Sequence, residues 1–438
     1  MTASQNIPVS SSEASIEHLD LDHYSSFVRA ISNILSTEIA EATITQLADG
    51  LPTRAMYSEA RGSFPHRDHP ILKHTELCEG ASAKAKEFLV AFDPMILRFD
   101  ATLLQAYQDT SPGSRQFGIR LIEMTAVAIH QIAVALYQLD EKAHRGDIDS
   151  VMNWVAPIEQ YELHGRWETK PHFPPRPSLF FHPDYLDHHQ YPSGTADVAG
   201  YWAEDRIFGG VVLFDRGKSD MEAKEVYFHS GRRRQTHRVW LLLEPQLESL
   251  ISFLLDESGR VESPLPIFVD EKSRKRFDAW DAMAFHHIFR DRWERSIPDI
   301  KDESSIRYNT GDYPELQDVF DKLAAGPSYD VPGRFDPLST NIEKHAKETE
   351  GSGPDAPAGP AAQPSETADH PGSLTTRSTT EDDIMRLFGE TKEAFLARQA
   401  SFINGPSYDE LMQNFLNEPD EGGPGASADL ANQRRETS

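Results

Sequence analysis

The stretch from Arg115 to Lys142 constrains this chain more than any other. It holds no proline, and its one glycine, Gly118, sits near the start. Phe117, Leu121, Ile122, Met124, Ile129, Ile132, Leu136 and Leu139 spread apolar groups around most of a helical circumference. A helix of that kind does not lie on a surface, so the spacing predicts a central helix onto which other elements pack. One polar sector interrupts it. At about 100° per residue, Gln116, Arg120, Glu123 and His130 share one sector with Val127 and Val134. The valines exclude a plain solvent face. Glu123 and His130, two turns apart, suit a general acid/base pair or a metal. The simpler reading is a buried polar network that fixes helix packing, because nothing in the sequence brings a nucleophile to them.

Other elements arrange around that helix. Asp22 to Leu47 carries Phe27, Ile31, Ile34, Leu35 and Ile39 on one stripe, and Asp49-Gly50 closes it. Ala81 to Tyr107 is helical with a break near Asp93-Pro94, since proline disfavours helix at the residue before it. Residues 157–194 are rich in proline and glycine, but Trp167, Phe173, Phe180, Phe181 and Tyr185 predict an ordered, irregular segment. Four short runs then read as strands: Val198–Trp202, Ile207–Phe214, Glu225–His229 and Arg238–Leu243. Gly209-Gly210 inside the second suggests a bulge. Short connections between consecutive strands imply an antiparallel meander. Glu244–Asp256 and Asp278–Arg295 read as helices. A helical first third followed by a small antiparallel β-meander packed with helices is an α+β pattern.

The expected domain division is a disordered 1–15, a single globular body over 16–335, and a tail over 336–438. No aromatic residue occurs from Asp336 to Leu387, and 351–380 is Gly, Pro, Ala, Ser and Thr with scattered charge. Such a stretch buries too little apolar area to offset chain entropy, which predicts disorder. Two amphipathic segments interrupt it, 381–399 and 408–416, each opening on a capping-box pattern.

Charge and cysteine usage narrow the class. The net charge is −27, and the body carries most of it. A surface so negative repels nucleic acid and anionic membrane, so neither is an expected partner. The single cysteine, Cys78, forms no internal disulfide. Met1 to Ser15 is polar without a signal pattern, and no apolar run approaches the ~20 residues that span a bilayer. The expectation is a cytoplasmic or nuclear protein.

Candidate chemistry gathers between residues 180 and 238. His182-Pro183-Asp184, with His229 or His237 as a distant partner, has the residue types of a two-histidine, one-carboxylate iron site. In the 2-oxoglutarate dioxygenases that pattern belongs to a double-stranded β-helix of about eight strands. This chain offers about four strands, and a proline splits the pair, so a hydrogen-bonded polar loop is the competing reading. Arg232, Arg233, Arg234 and Arg238 stand between two strands, either as an anion clamp or as a turn paired with the protein's own carboxylates. His287 and Asp291 have the spacing of an i,i+4 helical pair. Cys78 lies between Glu76 and Glu79, which disfavour a thiolate, so it is not read as a nucleophile. No phosphate-binding or nucleophile-elbow motif occurs, and no motif names a cofactor.

Several runs within residues 115–295 carry a resemblance. Arg120-Leu121-Ile122-Glu123, His130-Gln131-Ile132-Ala133, Phe180-Phe181-His182 and Gln190-Tyr191-Pro192 are the first of them. Ala196-Asp197-Val198-Ala199-Gly200-Tyr201-Trp202-Ala203-Glu204, the run Ile207 to Arg216, and His287-Ile288-Phe289-Arg290-Asp291 continue them. Together they resemble a family of uncharacterised filamentous-fungal proteins, some of them encoded near secondary-metabolite gene clusters. The resemblance implies no activity, cofactor or catalytic residue. The expected function is that of a small-molecule-binding or accessory protein of fungal specialised metabolism, or an enzyme of unassigned reaction. Its pocket would be lined by His182, Asp184, Tyr201, Trp202, Glu204, Arg206 and His229, since aromatic walls with a few polar groups suit a small ligand. The alternative is an interaction or regulatory component that docks a protein partner through the two tail segments.

Overall fold

Side-chain caps divide the first hundred residues into helices at defined points. A computed structural model describes residues 13–317 apart from 64, 159, 164–165, 170–174, 292–293 and 296–309. The stretch expected as one helix is two, α1 (Leu21–Leu35) and α2 (Glu38–Asp49). The Thr37 hydroxyl accepts the Ala40 N–H and starts α2 afresh. Gly50, left-handed at φ +103°, ends it as the Asp49-Gly50 turn predicts. α3 (Arg54–Glu59), α4 (Ala81–Ala91) and α5 (Ala101–Gln108) follow, with the expected break at Pro94. The two-residue strands β1 (Glu13–Ala14) and β2 (Phe99–Asp100) pair antiparallel beside α5.

α6 (Arg115–Tyr137) is the central helix, buried along most of its length. By length and composition it could cross a bilayer, contrary to the sequence expectation, but its apolar surface is spent inside the body. α7 (Ile148–Met152) leads to the hairpin of β3 (Gln160–Leu163) and β4 (Arg166–Thr169). After the hairpin the chain is irregular as expected, with Phe180, Phe181 and Tyr185 buried.

The main correction is α8 (Thr195–Phe208), buried from Ala196 onward. Val198–Trp202 is helix, not strand. Ala196, Ala199, Gly200 and Ala203 form a small-residue face that lets α8 lie closely on α6. A Cβ at Gly200 would come within 2.7 Å of the His130 ring. Tertiary packing has overridden the strand preference of Val198, Tyr201 and Trp202. Gly209 is correspondingly no bulge: it caps α8 in left-handed backbone at φ +104°.

Beyond it lies a five-stranded antiparallel sheet of order β8-β7-β6-β5-β9. Its strands are β5 (Val211–Asp215), β6 (Val226–His229), β7 (Val239–Leu241), β8 (Arg276–Phe277) and β9 (Ile288–Phe289). Three of them form the expected meander. The helix expected over Asp278–Arg295 stops as α10 (Ala279–Ala284), and the chain turns through a left-handed His287 (φ +52°) into β9. Both faces of the sheet are covered. Val212, Phe214, Phe228 and Trp240 pack toward α6 and α9 (Glu244–Leu254). Val211, Leu213, Tyr227 and Val239 pack toward Phe181, Tyr185, Tyr191 and Tyr201. The alternation follows from the two-residue period of a strand. The architecture is α+β.

The compact unit holding these elements ends at Pro314; a second unit begins at Glu315, of which only 315–317 are described. The boundary expected at 335 and the helices expected over 381–399 and 408–416 lie outside the described residues.

Gly209 offers a direct test. A Cβ there would sit 2.0 Å from the Ile267 carbonyl oxygen, whereas Gly113, at φ +81°, faces open space. Gly113→Ala should cost about 1–2 kcal/mol, the strain of a left-handed alanine. Gly209→Ala should cost at least about 3 kcal/mol, because backbone must also move. Chemical denaturation of the two variants checks the ordering, and equal losses would contradict it.

Candidate functional site

His182 and Asp184 lie on the irregular segment, and His229 closes β6. They converge because Gly231 leaves room: a Cβ there would be 2.7 Å from the His182 ring. His182 Nε2 donates to the His229 carbonyl at 3.0 Å, and its Nδ1 accepts the Asp184 N–H at 3.2 Å. His229 Nε2 donates to the His237 carbonyl at 3.1 Å, and its Nδ1 accepts the Tyr185 hydroxyl at 3.2 Å. This network assigns both rings as neutral tautomers. Asp184 Oδ2 lies 3.4 Å from His229 Nε2 and 3.8 Å from His182 Nδ1. Arg61 Nη2 donates to the same oxygen at 2.5 Å.

Electrostatics separates the three groups. Burial would raise the Asp184 carboxyl, but the guanidinium of Arg61, with that of Arg295, outweighs it and holds the group well below the usual carboxylate range. Burial pushes His229 far below its ordinary value and His182 down as well. The donor atoms of the trio lie within 4.8 Å of one another, so the convergence a metal site needs is present. Arg61 on the carboxylate and Arg295 close by oppose a cation there, and every imidazole nitrogen already has a partner. The arrangement suits an ionised carboxylate and a guanidinium held at fixed distance over two neutral rings. The Asp184 side chain is 33% exposed and that of Arg61 26%, while the histidines beneath are closed off.

The other expected lining residues divide between neighbouring clusters. Tyr201 stays close, its ring 4.5 Å from Tyr185. Glu204 belongs to a buried ion cluster: His130 Nδ1 donates to it at 2.8 Å, and Arg290 Nη1 reaches both of its oxygens at 2.6 Å. His130 Nε2 reaches Asp197 at 3.0 Å. Burial alone would lower the His130 pKa, but the two carboxylates outweigh it and raise it. Glu123, in the same sector of α6, instead pairs with Arg120 and Arg216, each at 2.6 Å. The sector is thus two internal networks, and Glu123 and His130 are not partners. Trp202 faces the other core, its ring 4.7 Å from Phe180. Arg206 turns to Glu59 at 2.5 Å.

The arginine run is engaged within the protein. Arg232 donates to the Asp205 and Arg206 carbonyls at 3.0 and 2.7 Å. Arg233 donates to the Ala60 and Ser63 carbonyls. Arg238 lies 3.4 Å from Asp278 and stacks over Tyr313, and Arg234 also has an intramolecular partner. An anion clamp needs donors aimed at a common space, whereas these guanidinia tie the loop to α3, α8 and α10. His287 likewise pairs not with Asp291 but with Asp220, at 2.7 Å, because β9 replaces the expected helix.

One cluster had no counterpart in the sequence reading. Asp49, His74, Cys78 and His144 bring donor atoms within 4.8 Å of one another. The four-residue step from His74 to Cys78 was the only local signal. Glu76 and Glu79, which argued against Cys78, are exposed, and the carboxylate that reaches the cluster is Asp49. Comparison of the chain with protein-family models, curated proteins and solved structures gives no match.

Two measurements follow from these clusters. Arg290→Met leaves Glu204 buried against His130 alone and should lower the unfolding free energy by about 3–5 kcal/mol; urea denaturation reads this, and a loss under about 1 kcal/mol would contradict the cluster's weight. Because His229 is held neutral when folded, its contribution is complete above the unfolded imidazole value of about 6.5 and falls as pH drops through it. His130, raised by its carboxylates, acts in the opposite sense. Relative to His229→Gln, wild type should therefore lose up to about 1.4 kcal/mol per pH unit below about 6.5. A difference independent of pH would refute the neutral assignment.

Proposed function

We propose that this protein binds a small polar molecule at the Asp184–Arg61 pair, above the buried His182–His229 rings. The observation that carries the reading is the partial opening of this one ion pair over an otherwise closed cluster. A carboxylate that accepts and a guanidinium that donates, side by side, complement a ligand group offering both a donor and an acceptor. The surrounding aromatic rings of Tyr185 and Tyr201 are buried, and their hydroxyls stay protonated because burial raises them well above the ordinary value. Arg295, also buried, pairs with Glu294 at 3.3 Å through Nη2 and adds a second positive charge beside Asp184. A shallow hollow of about 850 Å³ lined by Tyr24, Arg29, Asn33 and Asp256 shares no residue with this centre, and its polar groups serve to cap α9 and the turn after it. The resemblance to fungal proteins encoded near metabolite clusters points the ligand toward specialised metabolism, with the protein as an accessory or as an enzyme of that pathway.

Thermal-shift screening of the full chain against small polar and aromatic metabolites tests this. A ligand at 100 times its Kd should add about 2.7 kcal/mol of stability. Asp184→Asn, folded by circular dichroism, should weaken that ligand at least about tenfold, the loss of one charged hydrogen bond. The proposal fails if no compound shifts the Tm, or if a binder holds its affinity in both Asp184→Asn and Arg61→Gln.

A further inference from the structure

The donors of Asp49, His74, Cys78 and His144 come from three separate parts of the chain. Asp49 is the last residue of α2, His74 and Cys78 sit on the loop before α4, and His144 follows α6. Backbone bonds hold them in register. The Cys78 N–H donates to Asp49 Oδ1 at 2.8 Å, and the His144 N–H donates to the Asp49 carbonyl at 2.8 Å. That leaves Asp49 Oδ2, on a fully buried residue, facing the other three side chains.

Three edges of this cluster are fixed by distance. Asp49 Oδ2 lies 3.4 Å from His74 Nε2 and 3.2 Å from His144 Nδ1. Cys78 Sγ lies 3.4 Å from His144 Nδ1. A tetrahedral ion with ligands at about 2.0–2.3 Å separates its donors by about 3.3–3.8 Å. The observed edges fall at or just below that range. The orientation of His74 supports the same reading. Its Nδ1 donates to the Pro52 carbonyl at 2.8 Å, so in the neutral ring Nε2 carries the lone pair. That atom is buried and faces Asp49 Oδ2 at 3.4 Å, inside the cluster. A metal-bound histidine is typically oriented by just such a bond from its other nitrogen. At His144, a side chain on Gly146 would come within 2.8 Å of Nε2, so glycine there leaves the ring its place.

Cysteine, histidine and aspartate also make up a nucleophile triad, but the geometry is different. In a triad the nucleophile and the acid bind opposite nitrogens of the imidazole. Here Cys78 Sγ and Asp49 Oδ2 both face His144 Nδ1. Convergence of a sulfur, an oxygen and two imidazole nitrogens on one point is a coordination sphere.

We propose that Asp49, His74, Cys78 and His144 form a binding site for one zinc ion. Thiolate and imidazole donors select a borderline metal of this kind, and the thiolate and carboxylate together balance its charge. With four protein donors the site is closed, so the ion clamps α2, the loop before α4 and the segment after α6 rather than activating water.

The test uses the full chain, expressed with zinc and dialysed. Elemental analysis should find about one zinc per chain. Cys78→Ser and Asp49→Asn should each lower the content about tenfold or more, while Asp184→Asn, in the other cluster, should leave it unchanged. Cobalt exchange should give a thiolate-to-cobalt charge-transfer band that Cys78→Ser lacks. Where a variant fails to fold, wild type alone decides: a strong chelator should lower its Tm by several degrees and added zinc should restore it. Folded wild type without zinc, zinc retained in both Cys78→Ser and Asp49→Asn, zinc lost in Asp184→Asn, or a Tm indifferent to chelation would overturn the proposal.

Discussion

The close approach of α8 to α6 is the contact from which the rest of the body is arranged. It exists because Gly200 has no side chain where the His130 ring passes. The same approach buries His130 between Asp197 and Glu204, two residues of α8, whose carboxylates outweigh burial and raise the ring's pKa. Arg290 then has to reach the second oxygen of Glu204, which draws the chain after β9 against the helix pair. Buried charges of this kind are tolerable only when each has a partner, so the helix crossing, the histidine and the β9 segment stand or fall together.

Seen from the sheet, the same logic divides the interior in two. Alternate residues of β5, β6 and β7 face α6 on one side and the tyrosine-rich irregular segment on the other. The first side is packed by aliphatic side chains and phenylalanines together with Trp202 and Trp240. The second carries Tyr185, Tyr191, Tyr201, His182 and His229, whose polar ends must all be satisfied. This second core, with the partly open Asp184–Arg61 pair at its margin, brings His182, Asp184 and His229 together.

Much of that was legible from sequence and some was not, for identifiable reasons. α6 announced itself because its apolar residues leave no surface face. The meander β5–β6–β7 was readable from β-branched and aromatic runs between turns. α8 was hidden because Val198, Tyr201 and Trp202 favour strand in isolation, while the Ala/Gly face that makes it a helix matters only against α6. The convergence of His182, Asp184 and His229 was expressed as a residue pattern; the guanidinia that reshape its electrostatics, Arg61 and Arg295, come from distant segments and left no local trace. The Asp49 cluster was less visible still, since its members are 29, 66 and 95 residues apart where they touch.

The sheet edges have a consequence for how this protein meets other chains. β8 and β9, the outer strands, pair over two residues each. An incoming strand needs a longer run of unpaired N–H and C=O groups to add to a sheet. Both faces of the sheet are already covered and its edges offer almost no template. Among the described residues, these two edges of the five-stranded sheet therefore offer an incoming strand little backbone to pair with.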